Sequence, residues 1–352
     1  MADNRALLRQ KIQGRGATVP GMARIRIGIS GWRYEPWRKI FYPADLAQHR
    51  ELAFASRAFA SIEINGSFYS LQTPQSYETW YRETPADFVF SVKGPRYVTH
   101  ILRLKNIRKP LANFFASGIF NLREKLGPLL WQFPPSLRYD PALFESFFSL
   151  LPRDTSAALK LARSRDSRMH GRSCLRIDTK RAMRHAVEIR HTSFAAPEFV
   201  AQLRRHGIAL VVADTAGKWP YLEDASSNFM YLRLHGDREL YASGYTEAAL
   251  DRWAQRIRAW SAGREPRDAR RVADAAKEAN ARDIYCYFDN DVKVRAPFDA
   301  DRLMQKLRLT RTDPTFRFPA RRVLRNIRPV TPLPPFRWRR AKQPGLRRES
   351  QG

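Results

Sequence analysis

Eight short runs of apolar, β-branched and aromatic residues recur along the chain, and several end in charged or amide side chains. They are Ile25 to Ser30, Ser61 to Asn65, Phe88 to Lys93, Pro128 to Phe133, Ala186 to Arg190, Ile208 to Asp214, Phe229 to His235 and Ile284 to Asp289. Each has the length and composition of a strand, and helical stretches separate most of them, which is the pattern of a parallel sheet wound with helices. Eight such units predict a closed TIM-type (β/α) barrel. The chemistry of that fold sits at the C-terminal ends of its strands.

Side chains on a strand alternate between two faces, so each run divides into two sets. Ile62 and Ile64 oppose Glu63 and Asn65, and Val187 and Ile189 oppose Glu188 and Arg190. Phe90 and Val92 oppose Ser91 and Lys93; Leu232 and Leu234 oppose Arg233 and His235; Cys286 and Phe288 oppose Tyr287 and Asp289. Parallel strands are covered on both faces, so the polar set is expected to line the lumen of the barrel.

The chain has 352 residues, 43% of them hydrophobic, enough for one large core in a single barrel domain spanning residues 25–310. Residues 1–24 read as a basic arm and residues 311–352 as a basic tail rich in Pro and Arg. No secretory signal and no run of membrane-spanning length is present, so a membrane is not an expected partner. Two cysteines, Cys174 and Cys286, are too few for a disulfide framework and lack a zinc spacing, which points to a reducing, cytoplasmic setting.

The net charge is +29, of which the tail carries +10, the arm +4 and the barrel the remaining +15. A tail holding Arg339, Arg340, Arg347 and Arg348, with Phe336 and Trp338 among them, suits a phosphate backbone. The favoured reading is a solvated extension, because charge runs alone are weak nucleic-acid signals.

The ordered series ISGWRYEPW, FYP, FASIEINGSFY, FVFSVKGPRYVTH, LGPLLWQFPPS, AVEIRHTSF, VVADTAG, YLRLHG and YFDNDVKVRAPFDA resembles the YecE-like proteins, the domain of unknown function family 72. The similarity runs over roughly residues 25–310. It implies a TIM-type barrel independently of the strand count, and it implies no activity. Both chain ends lie outside it.

The lumen set is the candidate site. Glu63, Glu188 and Asp289, with Asp214 on the sixth run, bring carboxylates from four strands, and His235 and His191 add imidazoles. A divalent cation takes ligands of this kind, but Lys93, Arg190 and Arg233 bring positive charge into the same space, so a metal is the less favoured reading and no cofactor is implied. The cations read more naturally as ligands for a small anion. If the site is catalytic, His235, Glu63, Glu188 and Asp289 are the acid and base candidates. Asn65, Lys93, Gln132, Arg190, Arg233 and Asn290 are then the substrate-binding set. The alternative is that these charges pair with one another and fill the barrel.

Loop aromatics at the expected mouth, Trp32, Tyr34, Phe68, Tyr69, Trp219 and Tyr221, either stack on a sugar or base or pack beneath the loops. Two readings of different class follow. One is an enzyme acting on a phosphorylated sugar or nucleotide, as a hydrolase, isomerase or lyase. The other is a nucleic-acid-binding or nuclease-like barrel that uses the basic body and tail.

Overall fold

A computed structural model describes residues 23–279 and 281–319, so the expectations for the arm before residue 23 and for the tail from residue 320 lie outside the described residues. Eight parallel strands close into a barrel in sequence order: β1 (Ile25–Ser30), β2 (Ser61–Ile64), β3 (Val89–Lys93), β4 (Leu126–Gln132), β5 (His185–Glu188), β6 (Ala209–Asp214), β7 (Phe229–Leu234) and β8 (Asp283–Phe288). Every expected strand is present, with ends moved by no more than two residues. The seam is the β1–β8 pairing, which runs from Ile25 opposite Ile284 to Ile29 opposite Phe288.

The surrounding helices are α1 (Glu51–Ala58), α2 (Gly66–Tyr69), α3 (Pro74–Glu83), α4 (Arg108–Ala116), α5 (Pro141–Leu150), α6 (Thr155–Ala162), α7 (Pro197–His206), α8 (Glu247–Ser261) and α9 (Ala296–Leu307). Their starts follow capping chemistry: Thr73, Asp140, Asp154 and Thr246 each accept a backbone N–H of the first turn, and Pro74 and Pro141 stand where a missing N–H costs nothing. No helix among the described residues is long and apolar enough to cross a membrane. The β6–β7 link, residues 215–228, contains no helix.

The period-two division puts the polar set inside. The lumen is packed below by Val89, Leu130, Ala186, Ala209, Val211, Ala213, Phe229, Tyr231, Tyr285 and Tyr287. Ile62, Val92, Val187, Leu232 and Phe288 on the other face are completely buried beneath the helices. A middle layer of hydroxyls separates this plug from the mouth. The Tyr287 hydroxyl lies 2.7 Å from Ser61 Oγ, and that of Tyr231 lies 2.7 Å from Ser91 Oγ while donating to Glu63 Oε2 at 2.5 Å.

The expected domain boundary at residue 310 is too early. Beyond α9 the chain returns to the barrel: the Asp313 N–H donates to Arg57 O at 2.9 Å and Thr312 Oγ1 to Phe59 O at 2.9 Å. Phe316 packs on Phe54 with ring centroids 4.8 Å apart, and Phe318 packs against Phe41, Phe59 and Phe298. Arg311 pairs with Asp301 at 2.5 Å. The two aromatic rings were hidden in an Arg- and Pro-rich context, and burying them ties the end of the last unit to the first.

Truncation therefore discriminates sharply between two nearby end points. A chain ending at Pro319 is expected to unfold at the same urea midpoint as the full chain. One ending at Thr310 is expected to lose stability, as is Phe316→Ala, by about 3 kcal/mol. Equal midpoints for all of them would show that the 311–319 segment contributes nothing.

Candidate functional site

At the C-terminal end of the lumen one guanidinium organises three carboxylates. Arg233 on β7 donates through Nη2 to Glu63 Oε1 at 2.9 Å and to Asp289 Oδ2 at 2.7 Å, and through Nη1 to Glu188 Oε2 at 2.7 Å. Its Nε reaches Glu63 Oε2 at 3.2 Å. The carboxylates are held from their far sides as well. Ser30 Oγ donates to Glu63 Oε1 at 2.6 Å, and Gln132 Nε2 and Arg190 Nε reach Glu188 Oε1 at 2.8 and 2.9 Å. Asn65 Nδ2 donates to Ser30 Oγ at 2.7 Å.

For Glu188 and Asp289 burial favours the neutral form, and the neighbouring charges reverse that. Burial raises the Glu188 carboxyl, but Arg233 and Arg190 more than offset it and leave it well below the usual carboxylate range. Asp289 is likewise lowered, its burial outweighed by Arg233 and His235. Burial disfavours the Arg233 cation, and Glu63, Asp289 and Glu188 hold it charged. Arg233 thus sits where a metal would have to sit to collect these carboxylates. Among the described residues, no cluster of three His, Cys, Asp or Glu is placed to hold a metal ion.

Above this layer opens a cavity of about 630 Å³, lined by Tyr34, Asn65, Phe68, Lys93, Arg96, His100, Gln132, Arg190, Tyr241, Asp289 and Asp291, with Arg233 in its floor. Lys93 ends β3 and is 8% exposed. Its ammonium lies 4.3 Å from the centroid of the Phe68 ring and has no hydrogen-bond partner among the described residues. Burial first, and then the Arg233 charge, lower its pKa to about 8 against the pull of Glu188, Glu63 and Asp289. Arg190 stacks on Trp219, its guanidinium carbon 3.7 Å from a ring centroid.

The loop after β3 carries two further polar groups, Arg96 and His100. It contains a π-helical turn, Tyr97–Ile101, followed by left-handed backbone at Arg103, Leu104 and Asn106. Irregular backbone of this kind is found disproportionately at functional sites. His100 packs edge-on against Phe68 and is held neutral, with a pKa near 4, by burial and by Lys93, Arg190 and Arg96. Gly94 opens this loop because any side chain there would strike the Trp131 ring, 2.4 Å from an added Cβ. On the opposite rim the Asp291 carboxyl is raised well above its usual range by burial and by the Asp289 charge. The Tyr34 hydroxyl, which donates to Ser30 O, lies beside it.

The sequence-derived set is therefore divided by depth. Lys93, Arg190, Gln132, Asn65 and Asp289 line the cavity. Glu63, Glu188 and His235 are wholly buried beneath it. His235 Nδ1 lies 3.0 Å from Asp289 Oδ2, and its ring packs edge-on against Tyr241. Arg233, expected among the anion ligands, has its donors committed to carboxylates, so its role in the mouth is corrected to that of a scaffold. Asn290 is also corrected: it turns away from the mouth and donates to Ser243 O and Asp299 Oδ2. Asp214 accepts from the Tyr245 hydroxyl at 3.0 Å, and His191 caps the short turn Thr192–Phe194. Arg96, His100, Tyr241 and Asp291 were not in that set, and Tyr34, expected among the mouth aromatics, lines the cavity. The one sequence signal for Arg96 and His100 is their place directly after a strand that ends in lysine.

Replacing Arg233 by Met leaves Glu63 and Asp289 without the guanidinium that pairs them and Glu188 with Arg190 alone, and is expected to cost about 3–5 kcal/mol at pH 7. The pH dependence should invert as well. In the wild type, Glu188 and Asp289 have lowered pKa values, so their stabilisation is complete above the usual carboxylate pKa and is lost as pH falls below it. In Arg233→Met, acidification from pH 7 towards 5 should instead raise stability by neutralising the stranded carboxylates. Urea titrations at pH 7, 5 and 4 measure both effects, and wild-type stability in the variant at pH 7 would refute the scaffold role.

Comparison with known proteins places this architecture. The family described as "Protein of unknown function DUF72" matches residues 26–322. The chain is 30% identical over 116 residues to the UPF0759 protein YunF of Bacillus subtilis (strain 168); that match covers 32% of this chain and 40% of that relative's length. The crystal structure of a DUF72 family protein from Thermotoga maritima MSB8 superposes with a TM-score of 0.61 at 24% identity, covering 81% of this chain and 99% of that one. A DUF72 family protein from Enterococcus faecalis V583 superposes with a TM-score of 0.59 at 14% identity, covering 81% and 96%. At these identities the two structures share the fold. With the ordered strand-end motifs and a match over most of its length, the chain belongs to the DUF72 family of TIM-type barrels.

Proposed function

We propose that the barrel mouth binds a small anionic substrate, of the phosphorylated sugar or nucleotide class, and performs acid/base chemistry on it. The observation that carries this reading is the mismatch between two layers of charge. In the lower layer every carboxylate is hydrogen-bonded to Arg233, and Glu188 to Arg190 as well. The upper layer leaves Lys93 without a carboxylate partner, beside Arg190 and Arg96, on a cavity large enough for such a ligand. Planar guanidinium groups and a mobile ammonium are the side chains that hold phosphate or carboxylate.

Depth assigns the chemistry to groups other than the buried Glu63, Glu188 and His235. His100 is a neutral imidazole able to accept a proton, and Asp291 is a carboxylic acid able to donate one. Both line the cavity. Asp289 and Arg233 then hold the floor on which the substrate rests.

A second reading, binding of single-stranded nucleic acid across the rim, draws on a different observation. The exposed large hydrophobic residues among those described are Tyr69, Tyr97, Ile101 and Val292, and all four lie on the segments that follow β2, β3 and β8. Tyr69 is 72% and Tyr97 45% exposed, beside Arg96, as a stacking platform requires.

Sulfate, whose charge does not change near neutrality, tests the first reading. It is expected to raise the melting temperature of the wild type, with affinity falling as pH rises through about 8 and the Lys93 ammonium is lost. Lys93→Met and Arg190→Met should each weaken binding roughly tenfold, and Lys93→Met should remove the pH dependence. Absence of any shift with sulfate, phosphate or a sugar phosphate would count against an anion site. For the second reading, Tyr69→Ala and Tyr97→Ala should weaken oligonucleotide binding by about 1–3 kcal/mol per lost stack without altering its salt dependence.

A further inference from the structure

Two lysines of the barrel are buried, and their surroundings differ. Lys125, 4% exposed, is caged: its ammonium donates to Tyr81 O at 2.6 Å, to Thr84 O at 2.7 Å and to Thr84 Oγ1 at 3.2 Å. Lys93 is 8% exposed and has no such cage. Its amine stands over the Phe68 face at the end of a barrel strand and opens into the cavity. The carboxylates nearest in charge, Glu63, Glu188 and Asp289, are engaged by Arg233. A lysine kept for structure has acceptors on every N–H, whereas one kept for chemistry needs a free lone pair and a route to substrate.

We infer that Lys93 is a nucleophile that forms an imine with a small aldehyde or ketone bearing a phosphate or carboxylate arm. The inference rests on the mouth being the substrate site and adds the reacting group and the substrate's functional group. Burial with no acceptor on the amine and a neighbouring guanidinium are what activate Lys93 as a nucleophile. The charged groups that face it are Arg233, Arg190, Arg96, Glu188, Glu63 and Asp289, with the neutral His100. Arg96 and Arg190, from the loops after β3 and β5, are positioned to hold the anionic arm.

The step balances without an oxidant or reductant. The neutral Lys93 Nζ attacks the carbonyl carbon, a C–N bond forms, and the carbonyl electron pair moves to oxygen, which takes a proton from the Asp291 carboxyl. Nζ then gives a proton to the Asp291 carboxylate, and the hydroxyl takes that proton back and leaves as water while the nitrogen lone pair closes the C=N bond, leaving a protonated imine beside an Asp291 carboxylate. The protonated imine draws electrons from the adjacent carbon, where His100 is the neutral base available to remove a proton.

The test uses the full chain at pH 7.5 with sodium borohydride and either dihydroxyacetone phosphate or pyruvate, which distinguish a phosphate from a carboxylate arm. Intact mass and peptide mapping locate the reduced adduct. One of the two probes is expected to modify Lys93 at least about tenfold faster than any other lysine, because an ordinary lysine is almost wholly protonated at this pH. Lys125, equally buried but caged, is the internal control and should remain unmodified. Lys93→Arg removes the amine and should abolish the adduct at this position. If that variant does not fold, the wild-type peptide map still decides. Modification of Lys93 no faster than of surface lysines with both probes overturns the inference, and it leaves the anion site standing wherever sulfate still protects the wild type. An adduct on Lys93 with no sulfate protection supports the amine and overturns the anion reading.

Discussion

The rest of the mouth depends on the pairing of Arg233 with Glu63, Glu188 and Asp289. Three carboxylates around one guanidinium are tolerable here because each is hydrogen-bonded to Arg233, because Arg190 and the nearby Lys93 supply further positive charge, and because Ser30, Tyr231 and Gln132 satisfy lone pairs that Arg233 does not reach. The carboxylates come from β2, β5 and the end of β8, and the guanidinium from β7. One side chain therefore ties together strands on several sides of the barrel. It also fixes the floor of the cavity, since none of these groups can move without exposing another to an uncompensated charge.

That floor explains why reactivity belongs to the layer above. A group that is paired on every side has little freedom to give or take a proton, whereas Lys93, His100 and Asp291 are perturbed by burial and by the charges below them without being locked into ion pairs. The network is thus electrostatic as well as mechanical. The same Arg233 that holds Glu188 and Asp289 ionised also lowers the proton affinity of Lys93.

Much of this was legible in the sequence wherever a period governs direction. Strand alternation placed Glu63, Lys93, Glu188, Arg233 and Asp289 in one lumen, and the barrel has them there. Depth was not legible, because alternation says which face a residue takes and nothing about how many donors compete for it. Hence Arg233 and Arg190 read as equivalent, although the first is enclosed by three carboxylates and the second stacks on Trp219 at the surface of the cavity. Loop residues escaped for a related reason. Beyond a strand end no repeat sets direction, so Arg96, His100 and Asp291 could not be aimed, and Asn290, adjacent to a lumen residue, was aimed the wrong way. The docking of Phe316 and Phe318 was concealed because two aromatic residues form no periodic pattern.

The seam of the barrel has a consequence for how the chain is made. β1 must find β8, and the segment carrying Phe316 and Phe318 must find α1, across almost the whole sequence. During translation the first strand emerges early, with one edge paired by β2 and the other unpaired until the last strand leaves the ribosome. An open parallel edge invites association with other chains. Gly28 sharpens the point: β2 backbone oxygen would lie 1.9 Å from any Cβ there, so β1 and β2 fit together only as a close backbone pair. For a nascent chain, the interval between the first strand and the last is the period of greatest exposure to aggregation, and it ends when Phe316 reaches α1.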